Sequence, residues 1–207
     1  MSLEREWWLR VPAVLVDPKP VFAALRNEQR DDVDARQEPL LAIVWLAGIA
    51  WVLADPVAGR IFDDPDYDWL VAPIWAFVTG GIVGVGAYWV LGGALALGLR
   101  ALGGSGTYRR ARHVVGFAAV PFTLSILVFL VRIAAYGGDA LRSGGADSGT
   151  GGTVLRALQL AFPVWTLALL LVGVRVVERW SWGRTLASLA LLALFLAAFA
   201  VLVSGTL

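Results

Sequence analysis

Apolar residues in this chain come in long runs rather than in the short periodic stripes of a soluble fold. About 20 consecutive apolar residues cross a hydrocarbon core. Read at that length, the runs predict five helices at about 40–54, 69–99, 113–136, 153–177 and 185–203. The first is short. The second is longer than a perpendicular span needs, which predicts tilt, a kink or extension beyond the lipid. An arm with a different rhythm precedes them. Trp7, Trp8 and Val11 fall together after Glu4, and beyond Asp17-Pro18-Lys19-Pro20 an apolar stripe of Val21, Phe22 and Leu25 stands opposite Arg26 and Glu28. Pro20 suits a first helical turn. The stripe predicts one or two amphipathic helices lying on a membrane surface or packed against neighbouring loops. Asn27 to Glu38 reads as a polar linker. The expected fold is therefore all-α: a polytopic transmembrane bundle of five helices, residues 39–207, behind an arm of residues 1–38 with interfacial helices.

Composition supports a membrane setting. Hydrophobic residues make up 58% of the 207, with mean hydropathy +0.73, against about 45–50% in soluble domains. The net charge of +1 conceals a sorting of cations. Of the 17 Lys and Arg, all but Arg60, Arg132, Arg142 and Arg156 fall in the arm, at Arg100 to Arg112 or at Arg175 to Arg184. Loops rich in Lys and Arg stay cytoplasmic, so the expected place is the cytoplasmic membrane, with the N-terminus cytoplasmic and the C-terminus outside. The same count keeps the short first run as a span, because without it the basic clusters would lie on opposite sides. Glu4, Glu6 and Pro12 make a cleavable leader unexpected. Most tryptophans fall near span ends, where amphipathic rings favour the headgroup layer. Trp165, deep in the fourth run, is expected between helices.

The chemistry is sparse. Without cysteine there is no disulfide or thiolate site. His113 is the single histidine and has no carboxylate near it in sequence, so no metal site is expected. Asp64, Asp66 and Asp68 resemble the start of a calcium loop, but the turn glycine is missing and Trp75 stands where the closing Glu belongs. Gly103-Gly104-Ser105-Gly106-Thr107 lacks the Lys of a phosphate-binding loop. No aromatic-interleaved basic face suggests nucleic acid, and no nucleophile set or paired intramembrane carboxylates suggests an enzyme. No cofactor is expected. Gly80 and Gly84, at small-xxx-small spacing, predict close helix packing or a pathway. Pro121 and Pro163 predict kinks, with Thr123, Ser125 and Thr166 as local substitutes for lost backbone bonds. Arg132 and Arg156 are the charges deepest in apolar sequence, with Asp139 and Asp55 as expected partners.

Two stretches carry a family likeness. Leu15-Val16-Asp17-Pro18-Lys19-Pro20-Val21-Phe22-Ala23-Ala24-Leu25 is similar to the N-terminal proline and short amphipathic helix of the Yip (Ypt/Rab-interacting protein) family. Val115-Gly116-Phe117-Ala118-Ala119-Val120-Pro121 resembles that family's Gly-Tyr-Ser…Pro entry into its third span, with Phe117 for the tyrosine and Ala118 for the serine. The layout looks like the family's prokaryotic branch over nearly the whole chain. The Asp-Leu-Tyr-Gly-Pro motif of eukaryotic members has only a displaced echo at Asp68 to Pro73, so the likeness carries no Rab-type partner over. It implies a non-enzymatic membrane-organising or partner-binding scaffold, with membrane lipid, a protein partner or a second copy as the contact. Candidate contact residues are Arg109, Arg110, Arg112 and His113, with Trp7, Trp8 and Phe22 as interfacial anchors. The alternative is a channel, transporter or lipid-translocating protein, built on Gly80, Gly84, Pro121 and Pro163 with Arg132 or Arg156 at an anionic substrate.

Overall fold

The computed structural model describes residues 2–54, 71–104, 107–141 and 149–204. All regular structure among them is helical. Asp55, Arg60, Arg142, the aspartates from Asp63 to Asp68 and the side chain of Asp139 lie outside the description.

Capping and proline chemistry set the arm. Helix α1 (Leu3–Val16) starts at Ser2, whose hydroxyl accepts from the Arg5 N–H at 3.4 Å, with Glu4 and Glu6 in the first turn where the helix dipole favours acids. It stops at Asp17, because the residue before a proline is pushed out of the helical region. Pro18 then opens α2 (Pro18–Ala24), at a position that needs no N–H. The stretch expected as a polar linker contains a third helix, α3 (Arg30–Ala35). Asp31 and Asp32 suit its N-terminal turn, and Val33 and Ala35 have a core to enter: both are buried.

The apolar helices follow as α4 (Gln37–Ala54), α5 (Ala72–Ala101), α6 (Tyr108–Ala118), α7 (Val120–Tyr136), α8 (Thr150–Glu178) and α9 (Trp182–Ser204). The third apolar run is split at Ala119. Pro121 sits in the first turn of α7 and has no N–H to bond the carbonyl four residues back. The Thr123 and Ser125 hydroxyls each donate at 2.7 Å to a carbonyl of their own turn, Val120 and Phe122, rather than to the one that Pro121 leaves free. Pro163 does not interrupt α8, and among the described residues the Thr166 hydroxyl expected to compensate for it has no hydrogen-bond partner. Gly137 ends α7 at φ 60°, and Arg179 ends α8 at φ 56° with the Trp180 N–H returning to the Arg175 carbonyl at 3.2 Å.

Four stretches are long and apolar enough to cross a membrane: Arg30–Ala54, Pro73–Ala101, Tyr108–Tyr136 and Thr150–Glu178. A shorter apolar stretch, Trp182–Ala198, follows. The protein is thus an all-α, polytopic chain. Trp165 faces outward from α8, 40% exposed, rather than packing between helices. The α8 segment buries only 22% of its most apolar window, the least of the four, so an aromatic residue on it has little protein to meet.

The helices divide into two compact units, Met1–Leu40 with Ala87–Ala118 and Leu167–Leu207, and Leu41–Gly86 with Ala119–Thr166. In the first, Trp7, Val14, Val21, Phe22 and Leu25 of the arm are buried, as are Leu95, Leu99, Val114, Phe117 and Val174, with Trp7 packed on Phe117. In the second, glycines bring α4 and α5 into backbone contact, and Phe129 packs on Leu53, Trp75 and Ile133.

Candidate functional site

The basic helix α6 organises the first unit. Its sequence, Tyr-Arg-Arg-Ala-Arg-His-Val-Val-Gly-Phe-Ala, is strongly two-faced, yet every residue from Ala111 to Ala118 is buried. Its cations therefore separate by depth. Arg109 is half exposed, and its guanidinium lies 4.0 Å from Glu28. Arg110 is mostly covered: its Nε–H donates to Glu28 Oε1 at 3.1 Å, and Thr107 Oγ1 approaches the same oxygen at 3.4 Å. Glu28 thus ties the arm to the start of α6.

Arg112 lies deeper, 9% exposed, inside an aromatic enclosure. Its guanidinium carbon stands 3.8 Å from the Trp89 ring centre, 5.1 Å from Tyr88 and 5.4 Å from Tyr108. Such stacking suits a planar, weakly hydrated cation. The enclosure depends on Gly92, where a Cβ would lie 2.8 Å from Arg112 Cα, so α5 and α6 meet there at backbone range. His113 is fully buried, and among the described residues neither ring nitrogen has a hydrogen-bond partner.

Arg36, at the end of α3, is fully buried as well. One Nη donates to the Asn27 carbonyl at 2.9 Å, and the group lies 5.5 Å from the Trp7 ring. Trp7 itself packs on Phe117 at 5.7 Å, is stacked by Arg10 at 4.1 Å and donates from Nε1 to Asp32 at 3.2 Å. The other residues placed with α6 in the sequence fall into distinct roles. Phe22 is buried against Gly173 and Val114, since a Cβ on Gly173 would meet both side chains within 2.9 Å. Trp8, 40% exposed, alone of the three expected anchors faces outward.

A second set of cations closes the loops. Arg175 stacks on Trp182 at 4.4 Å and Arg184 on Trp180 at 4.3 Å. Arg184 also donates from Nε to the Leu102 carbonyl at 3.0 Å, satisfying the last turn of α5.

In the second unit, Gly80 and Gly84 face α4. A Cβ on Gly80 would stand 2.6 Å from Ile49 Cα, and one on Gly84 would strike the Val44 carbonyl. The partner that sequence reading missed is Gly48, whose Cβ would strike the Gly80 carbonyl and lie 2.5 Å from the Gly84 nitrogen. Arg132 is buried, donating to the Ala140 carbonyl at 3.1 Å and approaching Gln159 Oε1 at 3.4 Å. Arg156 and Pro163 are exposed, and Pro121 is buried.

The model of the Yip1 domain matches residues 13–204, from the middle of α1 to the end of α9. The chain belongs to this family. No curated protein and no solved structure matches it. The match spans Glu28, Arg36, Arg112 and His113, while Trp7 and Trp8 precede it. The Yip1 domain here is thus an integral membrane protein whose arm is folded onto its basic helix. Arg36, Glu28, Tyr88 and Trp89 had no motif to mark them. Their only signal was helical spacing, which places Arg36 one turn before Leu40 and Arg112 one turn before Gly116.

Proposed function

We propose that this Yip1-domain protein is a non-enzymatic membrane scaffold with five spans, residues 39–207, and a cytoplasmic arm of residues 1–38 in the cytoplasmic membrane. Its basic face gathers anionic lipid or a protein partner. The carrying observation is the backbone-tight seam of Gly48, Gly80 and Gly84. A pathway along α5 needs those glycines open to water, whereas a scaffold needs them closed. On α6 the exposed part of the basic face is Arg109 with the edge of Arg110, and on the arm Trp8 faces outward. Each surface cation adds about 1 kcal/mol of attraction to an anionic leaflet.

Reconstitution in mixed bilayers of phosphatidylcholine and phosphatidylglycerol tests this, with brominated forms of each lipid quenching tryptophan fluorescence. The wild type is expected to prefer phosphatidylglycerol, and Arg109→Ala with Arg110→Ala to bring the preference close to one. An unchanged preference defeats the lipid-contact role. Because the chain has no cysteine, Asp66→Cys and Arg109→Cys test the threading with an impermeant thiol reagent. The first should label from outside and the second from inside. Labelling from one side refutes it.

A further inference from the structure

Two buried guanidiniums in the first unit carry more N–H groups than the protein satisfies. Among the described residues, Nε and one Nη of Arg36 and Nε and one Nη of Arg112 have no acceptor, and neither ring nitrogen of His113 has a hydrogen-bond partner. Leaving a buried donor without an acceptor is costly, and more so when the donor is charged. Among the described residues no carboxylate lies within ion-pair distance of Arg36 or Arg112. The nearby acids are committed elsewhere. Glu28 is held by Arg109, Arg110 and Thr107, and Asp32 accepts from Trp7 Nε1 and the Asn27 amide.

The two arginines share a level. The Leu40 N–H bonds the Arg36 carbonyl at 3.3 Å, so Leu40 stands one turn beyond Arg36, as Gly116 does beyond Arg112. Leu40 and Gly116 touch: a Cβ on Gly116 would lie 2.5 Å from Leu40 Cδ2 and 3.2 Å from Tyr88 Cε2. The chain climbs from both arginines into apolar helix, so the pair marks the polar end of the spans. His113 follows Arg112 directly, and the charged groups acting on it are Arg36, Arg112 and Arg109, all cations.

We infer that Arg36, Arg112 and His113 form a buried receptor for one phosphate group, carried by an anionic phospholipid headgroup or by free phosphate. The chemistry is specific. Guanidinium forks match tetrahedral oxyanions through paired N–H···O bonds, which an ammonium cannot copy. Arg112 lies over the Trp89 ring and is hydrogen-bonded to Tyr88, which leaves its Nε and one Nη for further acceptors. The group would accept from both edges and from His113, and would supply the missing negative charge. This goes beyond the surface lipid contacts proposed above, because it is a single site with fixed stoichiometry.

Full-length protein, delipidated in neutral detergent, tests it by native mass spectrometry and thermal unfolding. Three additions are compared: dioleoyl phosphatidylcholine, dioleoyl phosphatidylglycerol and inorganic phosphate. Retention of one phosphatidylglycerol with a raised unfolding temperature identifies a lipid headgroup. A rise with inorganic phosphate, and its competition against the lipid, identifies soluble phosphate. Arg112→Gln and Arg36→Gln should each weaken binding at least tenfold, while Arg109→Ala with Arg110→Ala keeps it and loses only the annular preference. If a glutamine variant does not fold, Arg112→Lys is read instead and should bind several-fold more weakly. Absence of any stoichiometric ligand or thermal shift in the wild type means that water alone fills the site and overturns the inference. So does equal binding by the Arg112 variants.

Discussion

Adding one methyl group should have opposite effects at two glycines, one in α4 and one in α5. A Cβ on Gly48 would stand 2.5 Å from Gly84 N and 2.6 Å from Gly84 Cα, besides striking the Gly80 carbonyl. Heavy atoms pack at about 3.5–4.0 Å, so α4 and α5 must part by roughly 1 Å, which forfeits a quarter to a half of each contact they make. With about 30 atom pairs at about 0.15 kcal/mol each, the loss is on the order of 2 kcal/mol, within the usual cost of overpacking. Alanine regains about 1 kcal/mol of helix propensity over glycine. Gly48→Ala is therefore expected to destabilise by about 1 kcal/mol or more. Gly86, also in α5, meets nothing within 4 Å. There the propensity term acts alone, and Gly86→Ala should stabilise by about 0.5–1 kcal/mol. Reversible unfolding of both variants in mixed micelles measures the difference. Stabilisation of both would refute the seam, because propensity alone would then account for the pair.

Three further outcomes follow from the first unit. Trp7→Ala removes a fully packed indole and should weaken arm docking by about 3–5 kcal/mol, seen as faster hydrogen exchange across α1 to α3 with α8 unaffected. Glu28→Gln loses a partly exposed ion pair worth about 1 kcal/mol or less, so limited proteolysis of the arm should quicken modestly while the unfolding temperature barely moves. Arg179 holds a left-handed backbone that costs a non-glycine residue about 1–2 kcal/mol. Arg179→Gly should raise the thermal unfolding midpoint despite the added freedom of the unfolded chain, and a lower midpoint would mean that the side chain matters more than its backbone.

The all-helical, polytopic character and the helix breaks were readable because hydrophobic runs and proline are local signals. The apolar runs, the proline-opened α2 and the break beside Pro121 all lie in single segments of sequence. Pairings were not readable in this way. Gly80 and Gly84 announce a close approach by their spacing, but nothing in α4 distinguishes Gly48 as their counterpart until the register of the two helices is known. Trp7 and Phe22 read as membrane anchors because an aromatic on a short amphipathic helix has the same pattern whether it faces lipid or Phe117 and Gly173. Arg36 was hidden more deeply. A cation in the polar run from Asn27 to Glu38 looks solvated, and its burial comes from Trp7, almost thirty residues earlier, covering it.

The stacked arginines separate two uses of one charge in time. Basic residues orient a membrane chain while it is still being threaded, when each cation counts only by position. Once folded, Arg112 is enclosed by Trp89 and two tyrosines, Arg175 lies on Trp182, and Arg184 caps the last turn of α5 at Leu102. The charges that would direct insertion thus also hold helices and loops of the finished protein together. Neutralising Arg184 would therefore show little in topology, where many other cations vote, and would show instead as a loosened joint between the end of α5 and the start of α9.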